Sequence, residues 1–174
     1  MQKKHLVCLT SLIAVSLLAA CKTAPTSTPT PAEEQQEEVN LSFENVYNRY
    51  ESRLILDGAV DYEVKSGDRL TGIARQFYGS GEQFGVSNGY FFPLIMLASN
   101  DLVQDPDLIE PGMTLSVPDL QRNLDSAAAR QAMKEFFRDI AGVYGQKAGD
   151  ETREDRRKLA EQTRSSLLKL SEML

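Results

Sequence analysis

Histidine occurs once in the 174 residues, at His5, and cysteine twice, at Cys8 and Cys21. Beyond residue 21 the chain has neither. Ser-His and Cys-His catalysis, histidine- or thiolate-held metal and disulfide bonds are thereby excluded from that part of the protein, whose folding must rest on packing alone. Positive charge is also short: 25 Asp and Glu outnumber 19 Lys and Arg, for a net charge of −6. An acidic chain without a basic patch, and without an RNP, zinc-finger or basic-region pattern, argues against nucleic acid and anionic headgroups as partners. No cofactor or metal is expected. The remaining enzymatic route is glycoside cleavage on carboxylates, for which Glu82, Asp68 and the group Asp105, Asp107 and Glu110 are the candidates. Asp68 is better read as a helix cap, Asp105 sits beside a proline in a turn, and Glu82 stands among glycines where nothing desolvates it. The reading is a protein with no catalytic residue.

At the N-terminus Lys3 and Lys4 precede an apolar run from Leu6 to Ala20, too short for a stable membrane span, and then Cys21. Basic residues, a short apolar segment and small residues before a cleavage point make residues 1–20 an export signal. Leu18-Ala19-Ala20-Cys21 resembles the bacterial lipobox, which implies lipidation of Cys21 as the first mature residue. A single acyl chain binds a membrane marginally, whereas the two or three chains of a bacterial lipoprotein anchor it firmly. Lys22 in place of Asp favours the outer membrane, facing the periplasm. Residues 21–40 are Thr, Pro, Ser and Ala followed by Glu33-Glu34-Gln35-Gln36-Glu37-Glu38, with almost nothing apolar to bury, and read as a disordered tether.

Residues 60–120 form the organising unit. Asp61 to Val64 reads as a strand, Lys65-Ser66-Gly67-Asp68 as a turn with Asp68 as N-cap, and Leu70, Ile73, Ala74 and Phe77 as one apolar helical face. A second helix opens at Pro93 with Leu94, Ile95, Leu97 and Ala98. Glu110-Pro111-Gly112 has the residues of a type II turn, and Thr114 to Val117 alternates as a strand stopped by Pro118. Between the helices, Ser80 to Gly89 is glycine-rich and is expected to be an irregular, mobile loop. The fold class is α+β, a small βααβ module flanked by helices.

Several residues of this module resemble the LysM domain, a βααβ fold that binds N-acetylglucosamine-containing glycans such as peptidoglycan and chitin. Tyr62-Glu63-Val64-Lys65-Ser66-Gly67-Asp68-Arg69-Leu70 is similar to the opening Y-x-V-x-x-G-D-T-L, and Phe92-Pro93-Leu94-Ile95 to W-P-x-I. Asp105-Pro106-Asp107-Leu108-Ile109-Glu110-Pro111-Gly112 through Pro118 follows D-P-x-x-I-x-P-G-x-x-L-x-I-P. Arg69 departs from the usual Thr, and Ser80 to Phe91 is longer than the common form. The resemblance implies a shallow groove between the loop after the first strand and the loop before the second. By position it assigns Ser66, Gly67, Asp68, Arg69 and Leu70 to one side and Asn100, Leu102, Asp107, Leu108 and Ile109 to the other. The function implied is a lipid-anchored envelope protein that binds peptidoglycan without catalysis. The alternative is an envelope scaffold whose module contacts protein and holds little glycan.

Helices flank the module. Residues 41–58 read as an amphipathic helix capped by Ser42, with Phe43, Val46, Tyr47, Tyr50 and Leu54 on its buried face. Residues 121–174 read as a helical hairpin. Its first helix carries Leu124, Ala128, Ala132 or Met133, Phe136, Phe137 and Ile140; Gly142, Gly145 and Gly149 mark the loop; Leu159, Thr163, Leu167, Leu170 and Leu174 line the second. Neither the hairpin nor a module of this size buries enough alone, so the N-terminal helix is expected to pack with the hairpin into a three-helix element beside the module. Pairing of the hairpin with another protein is the other outcome.

Overall fold

The first strand, β1 (Val60–Glu63), runs antiparallel to β4 (Thr114–Val117), with Tyr62 opposite Leu115 and Val60 opposite Val117. This computed structural model describes residues 30–174; the signal, Cys21 and the first part of the tether lie outside them. The pair turns Tyr62, Val64, Leu115 and Val117 inward. Between the strands come α2 (Leu70–Tyr78) and α3 (Pro93–Ala98), whose Leu70, Ile73, Ala74, Leu94, Ile95 and Leu97 are buried. The βααβ order read from the sequence is therefore the observed one. Phe77, expected on the buried face of α2, is about one-third exposed and meets Tyr62 edge-on at 5.6 Å.

The segment expected to be an irregular loop is regular. It forms a hairpin, β2 (Glu82–Gln83) with β3 (Val86–Ser87), followed by a 3-10 turn at Asn88–Phe91. Phe84 and Gly85 take φ of 55° and 68° at the two central positions, the left-handed pair that matches strand twist in a two-residue hairpin. Val86 is buried, and the Lys169 ammonium donates to the Gly85 carbonyl at 2.8 Å, so the insert rests on the last helix.

The flanking helices differ from expectation in length. α1 spans Pro31–Tyr50, so residues 31–40 are helical and not a tether, and Ser42 lies inside the helix. Proline is preorganised for a first turn, acidic Glu33 and Glu34 suit the positive end of the helix dipole, and Glu and Gln are good helix formers. After β4, Asp119 caps the short α4 (Leu120–Asp125) by accepting from the Gln121 and Arg122 amides. Ser126 then caps α5 (Ala127–Asp150). Helix α5 continues through Gly142, Gly145 and Gly149, where the sequence places the loop; only residues 151–153 separate it from α6 (Glu154–Met173). A glycine costs a helix about 1 kcal/mol relative to alanine, and burial of Ile140, Val143, Tyr144 and Ala148 on either side of them outweighs it. At Gly145 the lack of a Cβ also makes room for Arg164, whose Nε would lie 3.2 Å from one.

Helix α5 is central. It pairs with α6 in the expected hairpin, and Phe43 and Tyr50 of α1 meet its Tyr144 and Phe136 at ring distances of 5.8 and 5.4 Å. Tyr47 and Tyr50 are buried, as the stripe implied. On the module side Phe91 meets Phe137 at 5.9 Å and Phe92 meets Tyr144 at 6.2 Å, so module and helices share one hydrophobic core. In α5 it is Ala129, and not Ala128, that turns inward. Asn123, fully buried, closes the seam between α4 and the segment before β1 by exchanging hydrogen bonds with the Ile55 amide and carbonyl at 2.9 and 2.8 Å.

Candidate functional site

Two loops meet at one end of the β1–β4 pair. Val64 joins them, donating from its amide to the Met113 carbonyl at 2.8 Å and accepting from the Gly112 amide at 2.9 Å. The first loop turns at Lys65-Ser66-Gly67-Asp68, closed by the Asp68 amide on the Lys65 carbonyl, with Gly67 at φ 87° where a side chain would be strained. Asp68 does not cap α2. Its Oδ2 accepts from the Lys65 amide and the Tyr62 hydroxyl, both at 2.8 Å, and the residue at the cap position is Arg69, with no side-chain cap bond. These two donors hold the Asp68 carboxyl below the usual carboxylate range, and the same bond raises the Tyr62 phenol.

The second loop is pinned at Asp105, whose side chain is 1% exposed. Asp105 Oδ1 accepts from the Asp107 amide, Oδ2 accepts from Gln36 of α1, and Lys147 of α5 donates to both oxygens at 2.7 and 2.8 Å. Lys147 also reaches Asp107 at 2.8 Å. The far end of the loop is the Glu110–Met113 turn, with Gly112 at φ 94°, and the Ser99 hydroxyl ties its near end to the Ser116 amide of β4.

An open recess of about 450 Å³ lies between the loops. Asp68, Arg69, Leu70, Asp107 and Ile109, all singled out from the sequence, line it. Ser66 and Gly67 stand exposed at the tip of the first turn, and Leu102 and Leu108 are about half exposed outside the lining. Asn100 belongs instead to a smaller recess of about 290 Å³ against α1, with Glu44, Tyr47, Asn48, Asp101 and Gln104.

Residues 62–89, covering the second half of β1, the first loop, α2 and the β2–β3 hairpin, match the family model of the LysM domain. The chain carries a LysM domain. No curated protein and no solved structure matches the chain. LysM domains are binding modules for peptidoglycan and related N-acetylglucosamine glycans, which sets the general binding class of this protein and an envelope or extracytoplasmic setting. No helix among the described residues is long and apolar enough to cross a membrane.

The recess has a third wall that the sequence pattern did not assign to it. Tyr144 and Lys147 of α5, and Arg156, Leu159, Ala160 and Thr163 of α6, face the two loops across it. The floor is apolar, with Phe92 and Tyr144 buried, and the rims are charged. Among the described residues Arg69 and Arg156 make no ion pair, whereas Lys147 is committed to Asp105 and Asp107. The signals that could have found this wall were Tyr144, Lys147 and Arg156, visible in sequence but set among Asp150, Glu151, Glu154 and Asp155 in a stretch that reads as a solvated face of mixed charge.

Proposed function

We propose that this protein is a non-catalytic, lipid-anchored envelope protein that binds the N-acetylglucosamine glycan of peptidoglycan in its LysM recess. The observation that carries the reading is that recess: Arg69, Leu70 and Ile109 meet over an apolar floor at the place where the two pinned loops converge. Sugar N-acetyl methyl groups suit such a floor, and backbone amides and carbonyls at the loops suit the amide of the N-acetyl group. Asp68, Asp107 and Glu110 act in this reading as turn and wall residues. Ser66, Gly67, Leu102 and Leu108 would be reached by a glycan long enough to run past the recess, whereas Asn100, in the separate recess against α1, has no part in this reading. Anchoring rests on Leu18-Ala19-Ala20-Cys21, with lipid on Cys21 and residence at the outer membrane facing the periplasm.

Purified insoluble peptidoglycan and chitin, each mixed with the signal-less protein and sedimented, test the binding. Co-sedimentation with peptidoglycan is expected; its absence at low salt would leave the domain as a scaffold. For the anchor, acyl labelling of the native protein that disappears in Cys21→Ser is expected, and an unlabelled native protein would remove the lipid from the account.

A further inference from the structure

Leu159 opens the apolar stripe of α6, yet it is 50% exposed while Thr163, Leu167 and Leu170 further along are buried. Burial of a leucine side chain is favourable, so a half-exposed one on the packing face leaves a gain that a ligand covering it would realise. Leu159 lies on the wall of the LysM recess, across from Leu70 and Ile109.

The charged groups of the recess divide into paired and unpaired ones. Asp107 is held by Lys147 at 2.8 Å and Asp155 by Arg153 at 3.1 Å. Asp68 accepts from the Lys65 amide and the Tyr62 hydroxyl, and Glu151 from the Arg153 amide, and neither carboxylate makes an ion pair among the described residues. Two guanidinium groups of the lining likewise make none, Arg69 on the first loop and Arg156 on α6. A stem-free N-acetylglucosamine glycan brings no anion to either guanidinium, whereas a glycan carrying short peptides with free carboxylates brings one for both.

We infer that the C-terminal hairpin is part of the binding site, with Leu159 covering the sugar's apolar face and Arg156 selecting glycan that bears anionic peptide stems. This rests on the proposed glycan binding and adds to it a specificity wall outside the LysM domain. The stem lies between Arg69 and Arg156, and Lys147 keeps the hairpin and the second loop at a fixed spacing so that both guanidinium groups face the same recess. Exposed pairs of this kind change affinity by about two- to five-fold and weaken with salt.

The experiment is titration calorimetry of the signal-less protein with a soluble stem-bearing muropeptide and with stem-free chitotetraose, for wild type, Arg156→Ala, Leu159→Ser and Arg157→Ala. Arg156 and Leu159 are exposed, so neither change should disturb folding, and a circular-dichroism melt checks this. Tighter binding of the muropeptide by wild type is expected. Arg156→Ala should lower muropeptide affinity about two- to five-fold and leave chitotetraose unchanged, Leu159→Ser should weaken both, and Arg157→Ala, outside the recess, should change neither. Unchanged muropeptide binding in both Arg156→Ala and Leu159→Ser overturns the hairpin's role while glycan binding stands. Equal binding of the two ligands by wild type overturns the stem selectivity. A wild type that binds neither ligand, even at low salt, overturns the glycan reading and this inference with it.

Discussion

Lys147 Nζ lies 2.7 Å from Asp105 Oδ1 and 2.8 Å from Asp107 Oδ2, so one side chain of the hairpin holds two carboxylates of the second loop. The Lys147 side chain is 16% exposed, and the Asp105 carboxylate is buried. Removing the cation would leave that carboxylate with Gln36 and one amide. Lys147→Met is expected to cost about 3 kcal/mol, whereas Asp107→Asn, at a half-exposed site, should cost under about 1 kcal/mol. Urea unfolding measures both. Equal losses would mean that the buried carboxylate does not depend on Lys147.

Arg69 is the second point of test. In a groove that holds sugar through its backbone, a guanidinium at the rim adds attraction to peptide-stem carboxylates but little to neutral sugar. Arg69→Thr should lower peptidoglycan affinity a few-fold at most, remove much of its salt dependence and leave chitin oligomers bound as well or better. Strong glycan binding that appears only in the variant would show that Arg69 blocks the groove.

Glycines in similar-looking stretches should respond oppositely to alanine. Gly142 and Gly149 sit within α5 with open space where an alanine Cβ would stand, so each change to Ala should stabilise by about 0.5–1 kcal/mol. At Gly89 a Cβ would lie 2.9 Å from the Thr71 carbonyl oxygen of α2, where only backbone could give way. Gly89→Ala should cost about 1–3 kcal/mol. Thermal melts of the three variants separate the cases.

Tyr50 supplies a prediction about alkali. Burial, and then its 2.7 Å hydrogen bond to Asp139, push the phenol up to about 12 from an unfolded value near 10. The folded state therefore holds this proton more tightly. The stability it contributes is complete below pH 10 and is lost as pH rises toward 12. Tyr50→Phe should cost about 1 kcal/mol at neutral pH and fall less steeply between pH 10 and 12, the residual slope coming from Tyr47, Tyr62, Tyr78 and Tyr144, which are also raised. An unchanged slope would mean that Tyr50 titrates alike folded and unfolded.

The parts legible in sequence were those set by short-range rules. Strand alternation in Thr114–Val117, Pro93 at a helix start and Pro111-Gly112 in a turn each act within a few residues, and each was observed. The misses came from tertiary packing. Gly142, Gly145 and Gly149 break a helix that stands alone, but here packing on α6 and α1 carries α5 through them. Phe84 at φ 55° is a conformation aromatic residues rarely adopt, so no turn rule marks Phe84-Gly85 as a hairpin centre. Asp68 had the position of a cap, and the nearby Tyr62 hydroxyl and Lys65 amide took its carboxylate instead. For the recess, the first-loop residues and Ile109 were visible as a pattern, whereas Lys147, Arg156 and Leu159 enter it only through the docking of the hairpin.

The edge contacts of Phe91 with Phe137 and of Phe92 with Tyr144 make the boundary at Pro118 a poor place to cut. Excised alone, residues 60–120 would present Phe91 and Phe92 to water as an open seam, liable to self-association. A graft of this domain onto another protein must therefore carry residues 127–174 with it, and whatever binds in the recess works on a single cooperative body.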